Sequence, residues 1–369
     1  MPEYVHGGDV YSYQTRFGAP PVDLSANINP YGIPDKVKQA MQTAIDICTQ
    51  YPDPFCRAAR AAIAQAEGVA PDRIYCGSGA ADVLDRLAAV LRPKTALLLA
   101  PTFAEYERTL AGAEVRFHML RADEGFAVTE RILDDITPSL DAVYLCNPNN
   151  PTGRTIDPAL LRQIAVRCAE VGARLIVDEC FLDFVQGGET LAAYLDEFPT
   201  LVLLRAYTKM YAVPGVRFGW CMTADAALIE GLYRAGQPWN VSVVAQACAV
   251  ACAGEREYAA QTAQRIAGER AYLKEQLIAR GLWVCPGEAN FLLFRAQDVD
   301  LQEKLARCGI LVRDCSNYRG LARGYYRTAV KTRKESNALL AALDEIQKEE
   351  NWWRGALWCR VLARTRAKA

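Results

Sequence analysis

Between residues 73 and 223, short runs of β-branched and aliphatic residues alternate with stretches whose apolar positions recur every three or four residues. The runs are RIYCG, TALLLA, VRFHML, AVYLCNP, RLIVDE, TLVLLRAY and RFGWCMT, and segments such as AADVLDRLAAVL and PALLRQIAVRCAEVG lie between them. Short continuous apolar runs and stretches of period 3.6 thus take turns along the chain, which predicts strands alternating with amphipathic helices. Alternation on this scale implies an α/β fold: a mostly parallel, seven-stranded sheet covered by helices on both faces. In such sheets ligands bind beyond the carboxyl ends of the strands.

After Pro238 the pattern changes. A long helical region is predicted from Val241 to Arg280, followed by strand-like NFLLF, GILVR and YYRTAV and by a helix in ESNALLAALDEIQ. This reads as a smaller α+β C-terminal domain. The expected division is a turn-rich arm over 1–35, a large domain over 36–240, the small domain over 241–350, and a basic amphipathic tail over 351–369. In the tail Trp353, Leu357 and Val361 share a helical stripe, as a terminal helix docking on the body would have; contact with a membrane surface is the other reading.

Composition narrows the chemistry. The 369 residues carry a net charge of -1, so no long-range field selects nucleic acid or an acidic membrane, and any basic site must be local. Only two histidines are present, His6 and His118, too few for a histidine-based zinc site or a Ser-His-Asp triad of ordinary construction. The thirteen cysteines are scattered without a CxxC, and no secretion signal opens the chain, so they are expected to be reduced thiols of a cytoplasmic protein. No apolar run reaches the ~20 residues of a membrane helix.

Four motifs fall where the fold expects a site. CGSGAAD ends a strand and opens a helix; Gly77 and Gly79 permit a tight bend, and the amides at the helix start can hold a phosphate. It fails as a dinucleotide fingerprint, because Asp82 stands in place of the third glycine, and a bare structural turn reads as well. LIVDE ends in Asp178 and Glu179; no lysine follows a glycine, so an ATPase reading lacks its phosphate loop, and the acid needs a cation, structural or otherwise. NPNNPTG closes another strand with a turn that carries side-chain amides. Lys209, in RAYTKMYAVPGVRFG, follows a strand and precedes Arg217; a desolvated amine beside an arginine can act as a nucleophile toward a carbonyl. The carbonyl that fits the set is pyridoxal phosphate, which needs a phosphate cradle, an acid for the ring nitrogen, an amide for the ring oxygen and a lysine for the aldehyde.

The order GSGAAD, NPNNPTG, VDE and TKMYAVPGVRFG resembles the aminotransferase-like superfamily of pyridoxal-phosphate enzymes, fold type I, over most of the chain. The resemblance implies that Lys209 joins the cofactor aldehyde, that Asp178 pairs with the ring nitrogen, that Asn150 bonds the ring oxygen and that Phe103 stacks on the ring. The phosphate is then held by the amides near Gly79, Ala80 and Ala81, by Thr208 and by Arg217, with Tyr51 reaching it across a homodimer interface. Two branches of the superfamily are near. Histidinol-phosphate aminotransferases usually carry a tyrosine where this chain has Phe181. Threonine-phosphate decarboxylases are similar at HGG, LSANINPYG, TFAEY, DECFLDF, VRDCSNYRGL and YYRTAV, and that branch is preferred. It implies a small phosphorylated amino acid as substrate, threonine phosphate or the serine phosphate that is one methyl group smaller, bound by His6, Gly7, Asn27, Asn150, Arg313 and Arg327. Lys331 stands where related decarboxylases can carry another arginine.

Overall fold

The computed structural model describes residues 6–348. The tail expected over 351–369 lies outside them. Helix Val10–Phe17 comes first, followed by strand β1, Val22–Asp23. The arm is therefore more regular than its turn-rich composition suggests. Asp9 caps the helix by accepting from the Ser12 amide at 3.0 Å, and Gly18 closes it in the left-handed conformation.

The central sheet contains β2 (Ile74–Gly77), β3 (Thr95–Ala100), β4 (Glu114–Met119), β5 (Ala142–Cys146), β6 (Arg174–Asp178), β7 (Leu201–Arg205) and β8 (Gly219–Met222). Their order is β2-β8-β7-β6-β5-β3-β4, and only β8 runs against its neighbours. The expected mostly parallel, seven-stranded sheet is what forms. Side chains alternate between two cores. Leu98, Tyr144, Ile176 and Val202 pack with helices Ala80–Leu91 and Ala226–Arg234. Leu97, Val143, Leu175 and Leu201 face the other way, toward helices Arg57–Glu67, Pro158–Val171 and Val243–Ala253. Strands covered on both faces must be apolar throughout, which explains the unbroken runs.

The predicted single helix from Val241 to Arg280 is two, Val243–Ala253 and Arg256–Ala279, because Gly254 ends the first. Beyond them lie β9 (Trp283–Val284), β10 (Phe291–Arg295), β11 (Ile310–Leu311), β12 (Arg313–Asp314) and β13 (Tyr325–Ala329), then a helix over 333–348. Strands β12, β13, β10 and β9 form an antiparallel sheet, the body of the smaller C-terminal unit. The run GILVR divides: β11 leaves this sheet and pairs in parallel with β1, so the N-terminal segment is built into the C-terminal unit. Among the described residues no helix is long and apolar enough to cross a membrane.

Candidate active site

All parallel strands of the central sheet release their chains at one edge, and the candidate residues gather there. At the end of β2, Gly79 precedes helix Ala80–Leu91, whose first-turn amides have no partner within the helix. Gly79 has φ +92°, and a Cβ on it would lie 2.5 Å from Nη2 of Arg217. The guanidinium therefore lies directly over the helix start, a place that only glycine leaves open. Gly219 of β8 is required in the same way, since a Cβ there would come within 2.4 Å of the Ala80 nitrogen. Thr208 is buried beside them, with its hydroxyl 3.5 Å from the Phe218 carbonyl. Asp82 braces the cradle: Oδ2 accepts from the Ser78 amide at 3.0 Å and from Asn240 at 2.7 Å, and Oδ1 accepts from Arg86 at 3.1 Å.

Asp178, at the end of β6, is buried and accepts from the Tyr106 hydroxyl at 2.7 Å and from the Cys180 amide at 2.9 Å. Burial nevertheless holds its carboxyl above the ordinary range, so it has a use for a nearby cation. Lys209 follows β7 by four residues in a turn fixed by Asn29, whose amide donates to the Lys209 carbonyl at 3.1 Å and whose side chain donates to the Met210 carbonyl at 2.7 Å. Burial lowers the Lys209 amine from 10.5 to about 8, helped by the charges of Arg327 and Arg217 and opposed by Cys180 and Asp178. This is an amine with a substantial neutral fraction near pH 8, as a nucleophile toward an aldehyde requires.

The turn after β5 divides the labour among its asparagines. Asn147 accepts from the Ile156 amide at 2.9 Å, and Asn149 donates to the Pro101 carbonyl at 3.0 Å and accepts from Thr102 at 2.8 Å, so both hold loops together. Asn150 instead accepts from Nη1 of Arg327 at 2.5 Å. Arg327, on β13 and only 5 % exposed, donates its Nη2 to the Ser25 carbonyl at 2.8 Å, and its Nε has no partner. Neither Arg327 nor Arg217 has a carboxylate partner among the described residues; Arg217 is exposed, but Arg327 is buried, and a buried cation with only neutral partners is costly until an anion arrives. Asn27 is buried as well, with its side-chain oxygen unpartnered. These orphaned groups, the cradle and the lowered amine fit pyridoxal phosphate carrying an anionic substrate.

A cavity of about 320 Å³ opens beside Arg313, lined also by His6, Gly7, Ser25 and Asn317. Gly7 packs so tightly that a Cβ would meet the Ser25 carbonyl oxygen at 2.3 Å, and the Gly8 amide donates to the Ser25 hydroxyl at 2.7 Å. Arg313 donates to Asn317 at 2.9 Å. The His6 ring sits 5.9 Å from that of Phe103, which meets Tyr106 edge-on at 5.6 Å. Lys331 is half-buried, with its ammonium in the field of Glu335 and Asp23. Tyr51 is not part of the cluster: it is 79 % exposed and stacks on Trp239 at 4.6 Å.

The sequence model of the family described as aminotransferase class I and II matches residues 19–343. The chain belongs to this family. Its relatives in the class I and II aminotransferases include the threonine-phosphate decarboxylase of Salmonella typhimurium, 37 % identical, with 92 % of this chain and 96 % of that protein aligned. The histidinol-phosphate aminotransferase of Thermococcus gammatolerans is 30 % identical over 88 % of this chain and 92 % of its own. Among solved structures, the histidinol-phosphate aminotransferase of Clostridium acetobutylicum superposes with a TM-score of 0.83 at 27 % identity, covering 88 % of this chain and 99 % of that one.

Sequence reasoning missed Tyr106 and Ser25 as parts of this site. Tyr106 was visible only as the last residue of TFAEY, three positions after Phe103 and so on the same face of one helical turn. Ser25 acts through its carbonyl and hydroxyl on Arg327 and Gly8, and no side-chain pattern announces that.

Proposed function

We propose that the chain is a pyridoxal-phosphate-dependent decarboxylase that converts L-threonine O-3-phosphate to (R)-1-aminopropan-2-yl phosphate, the aminoalcohol phosphate of the cobalamin nucleotide loop. Lys209 and Asp178 would hold the cofactor's aldehyde and ring nitrogen. Asn150 would meet its ring oxygen and Phe103 its ring face. Ala80, Ala81, Thr208 and Arg217 would take its phosphate. When bound, the cofactor supplies an electron sink for the pair released from the substrate Cα.

The chain's own residues do the rest. Which Cα bond breaks depends on which is held perpendicular to the sink, so the anion clamps select the reaction. Arg327 is anchored by Asn150 and Ser25 and lies close enough to Lys209 to depress its amine, which positions it for the substrate carboxylate. Arg313, His6 and Gly7 line the cavity that would take the substrate phosphate, and Asn27, with its side-chain oxygen unpartnered, would add a polar group to the substrate. The Cα–carboxylate bond breaks, carbon dioxide leaves, and a proton from Lys209 Nζ or from a water it orients reaches Cα. The observation that carries the reading is the pair of arginines without carboxylate partners, both within electrostatic reach of a lysine lowered to about 8. Supplying O-phospho-L-threonine should release carbon dioxide at a rate that saturates, with no requirement for a 2-oxo acid.

The second reading is a histidinol-phosphate aminotransferase, supported by the Thermococcus relative at 30 % identity. Against it, Phe181 is buried edge-on against Phe291 at 5.0 Å, where that branch usually has a tyrosine able to donate to the cofactor. Amino exchange that depends on a 2-oxo acid and releases no gas would favour it. A homodimer with shared sites belongs to the same proposal. Tyr51, Phe55 and Trp239 are exposed together with Ile45, Ile47 and Val250 on neighbouring segments, an apolar surface suited to a second copy that would bring its Tyr51 to this chain's cradle.

A further inference from the structure

Residues 6–8 line the cavity beside Arg313 and are tied down at two points. At one end the Gly8 amide donates to the Ser25 hydroxyl, and Ser25 also carries Arg327 on its carbonyl. At the other end His6 Nε2 lies 2.9 Å from Glu105 Oε1. Glu105 opens the short helix Glu105–Thr109, two residues after Phe103, and its second oxygen is held by Nε of Arg108 at 2.5 Å. Arg108 in turn reaches Asp85 at 2.8 Å, so the carboxylate is fixed from behind by the helix that follows the cradle. His6 lines both the cavity beside Arg313 and the smaller one beside Phe103. A carboxylate on one imidazole nitrogen sets the ring's orientation.

We propose that Glu105 is a positioning residue for recognition of the substrate phosphate. Resting on the functional reading above, it fixes the orientation of the His6 ring, so that the wall already carrying Arg313 presents the imidazole to the phosphate in one set position. Glu105 touches neither cofactor nor substrate; it acts through the imidazole. Its removal should weaken substrate binding and leave the bond-breaking step nearly intact, since Lys209, Asp178 and Arg327 have their own supports.

The test uses the cofactor-loaded enzyme as wild type, Glu105→Gln, His6→Asn and the double variant. Carbon dioxide release from O-phospho-L-threonine gives KM and kcat, and titration of the cofactor absorbance with the same compound gives Kd. Losing one charge-assisted contact should raise KM and Kd on the order of tenfold in Glu105→Gln. Turnover should stay within about twofold, with an unchanged cofactor spectrum and melting temperature. The double variant should be no worse than His6→Asn, because Glu105 has no route to substrate except through that ring. An unchanged KM in Glu105→Gln, or losses that multiply in the double variant, would overturn the proposal. Should Glu105→Gln fold poorly, Arg108→Gln loosens the same carboxylate from outside the cavity, and an unchanged Kd there counts equally against it. A wild type that releases no gas would fail the functional reading instead, and the Kd comparison would still decide the role of Glu105.

Discussion

Replacing Gly79 with alanine tests whether the loop after β2 is a phosphate cradle or an ordinary turn. Gly79 sits at φ +92° and ψ 161°, a region closed to residues with a side chain, and the added Cβ would stand 2.5 Å from Nη2 and 3.1 Å from Cζ of Arg217. Two costs separate. The backbone strain of ~1–3 kcal/mol falls on the folded state whether or not cofactor is present. The collision is relieved by swinging the guanidinium away, because Arg217 is held only by its bond to the Pro214 carbonyl at 3.1 Å. That movement removes a charge-assisted contact to phosphate worth ~1.5–3 kcal/mol, or roughly ten- to a hundredfold in affinity. Urea unfolding of the apoprotein reads the first cost, and titration with pyridoxal phosphate followed by absorbance reads the second. Arg217→Ala supplies the control: it should lose the same affinity without the strain, and Gly79→Ala in that background should cost little more affinity. A Gly79→Ala protein that is destabilised yet binds pyridoxal phosphate as tightly as wild type would refute the argument, because Arg217 would then not be the group displaced.

Borohydride reduction in the presence of pyridoxal phosphate should label the peptide containing Lys209. Labelling should rise with pH through about 8, and a midpoint near the ordinary 10.5 would contradict the buried site. The sign for stability follows: the unfolded chain keeps this proton longer, so this group's contribution to stability increases from about pH 8 to 10.5. Tyr106→Phe leaves the buried Asp178 short of one donor and should cost ~1–3 kcal/mol in urea unfolding as well as slowing turnover; a neutral effect on both would show that the 2.7 Å bond is idle. Arg205→Met strands Glu67, Glu179 and Asp183 without their shared cation and should destabilise by ~3–5 kcal/mol at pH 8, the deficit shrinking as pH falls and the acids take up protons. Mixing Tyr51→Ala with Lys209→Ala subunits should restore about a quarter of wild-type activity if sites are shared between two copies, and none if each chain is self-sufficient.

The four cofactor motifs were legible because each is local to the end of a strand and parallel strands deliver their ends to one edge. Gly79, Asn150, Asp178 and Lys209 needed no knowledge of distant contacts, only of where the apolar runs stop. What escaped is what depends on segments far apart in the chain meeting. Arg327 and Asn150 are 177 positions apart, and Tyr106 and Asp178 are 72 apart; periodicity reports which face a residue occupies, never which other segment will cover it. The same limit hid the pairing of β1 with β11, since GILVR reads as one strand although Val312 marks the point where it passes from one sheet to another. Helix Val10–Phe17 escaped for a different reason: at eight residues it is set by its caps, Asp9 and Gly18, more than by an apolar stripe.

Charge shows how a nearly neutral chain builds a site for anions. With 42 basic and 43 acidic residues, composition provides no excess for binding phosphate; the excess comes from how partners are assigned. Behind the ends of β6 and β7, one arginine, Arg205, is shared by three acids, Glu67, Glu179 and Asp183. In front of the same strand ends, Lys209, Arg217 and Arg327 face a single acid, Asp178, and the two arginines are bound only to carbonyl and amide oxygens. Neighbouring residues therefore divide by sign: Glu179 turns to the acid-rich cluster and Asp178 to the cation-rich one. Arg217 is exposed, but for the buried Lys209 and Arg327 such an imbalance destabilises the empty site and is relieved by anions. Under the proposed function, one phosphate at the cradle would answer Arg217. The buried Arg327 would need a second anion, and the substrate carboxylate would both meet that need and leave as carbon dioxide.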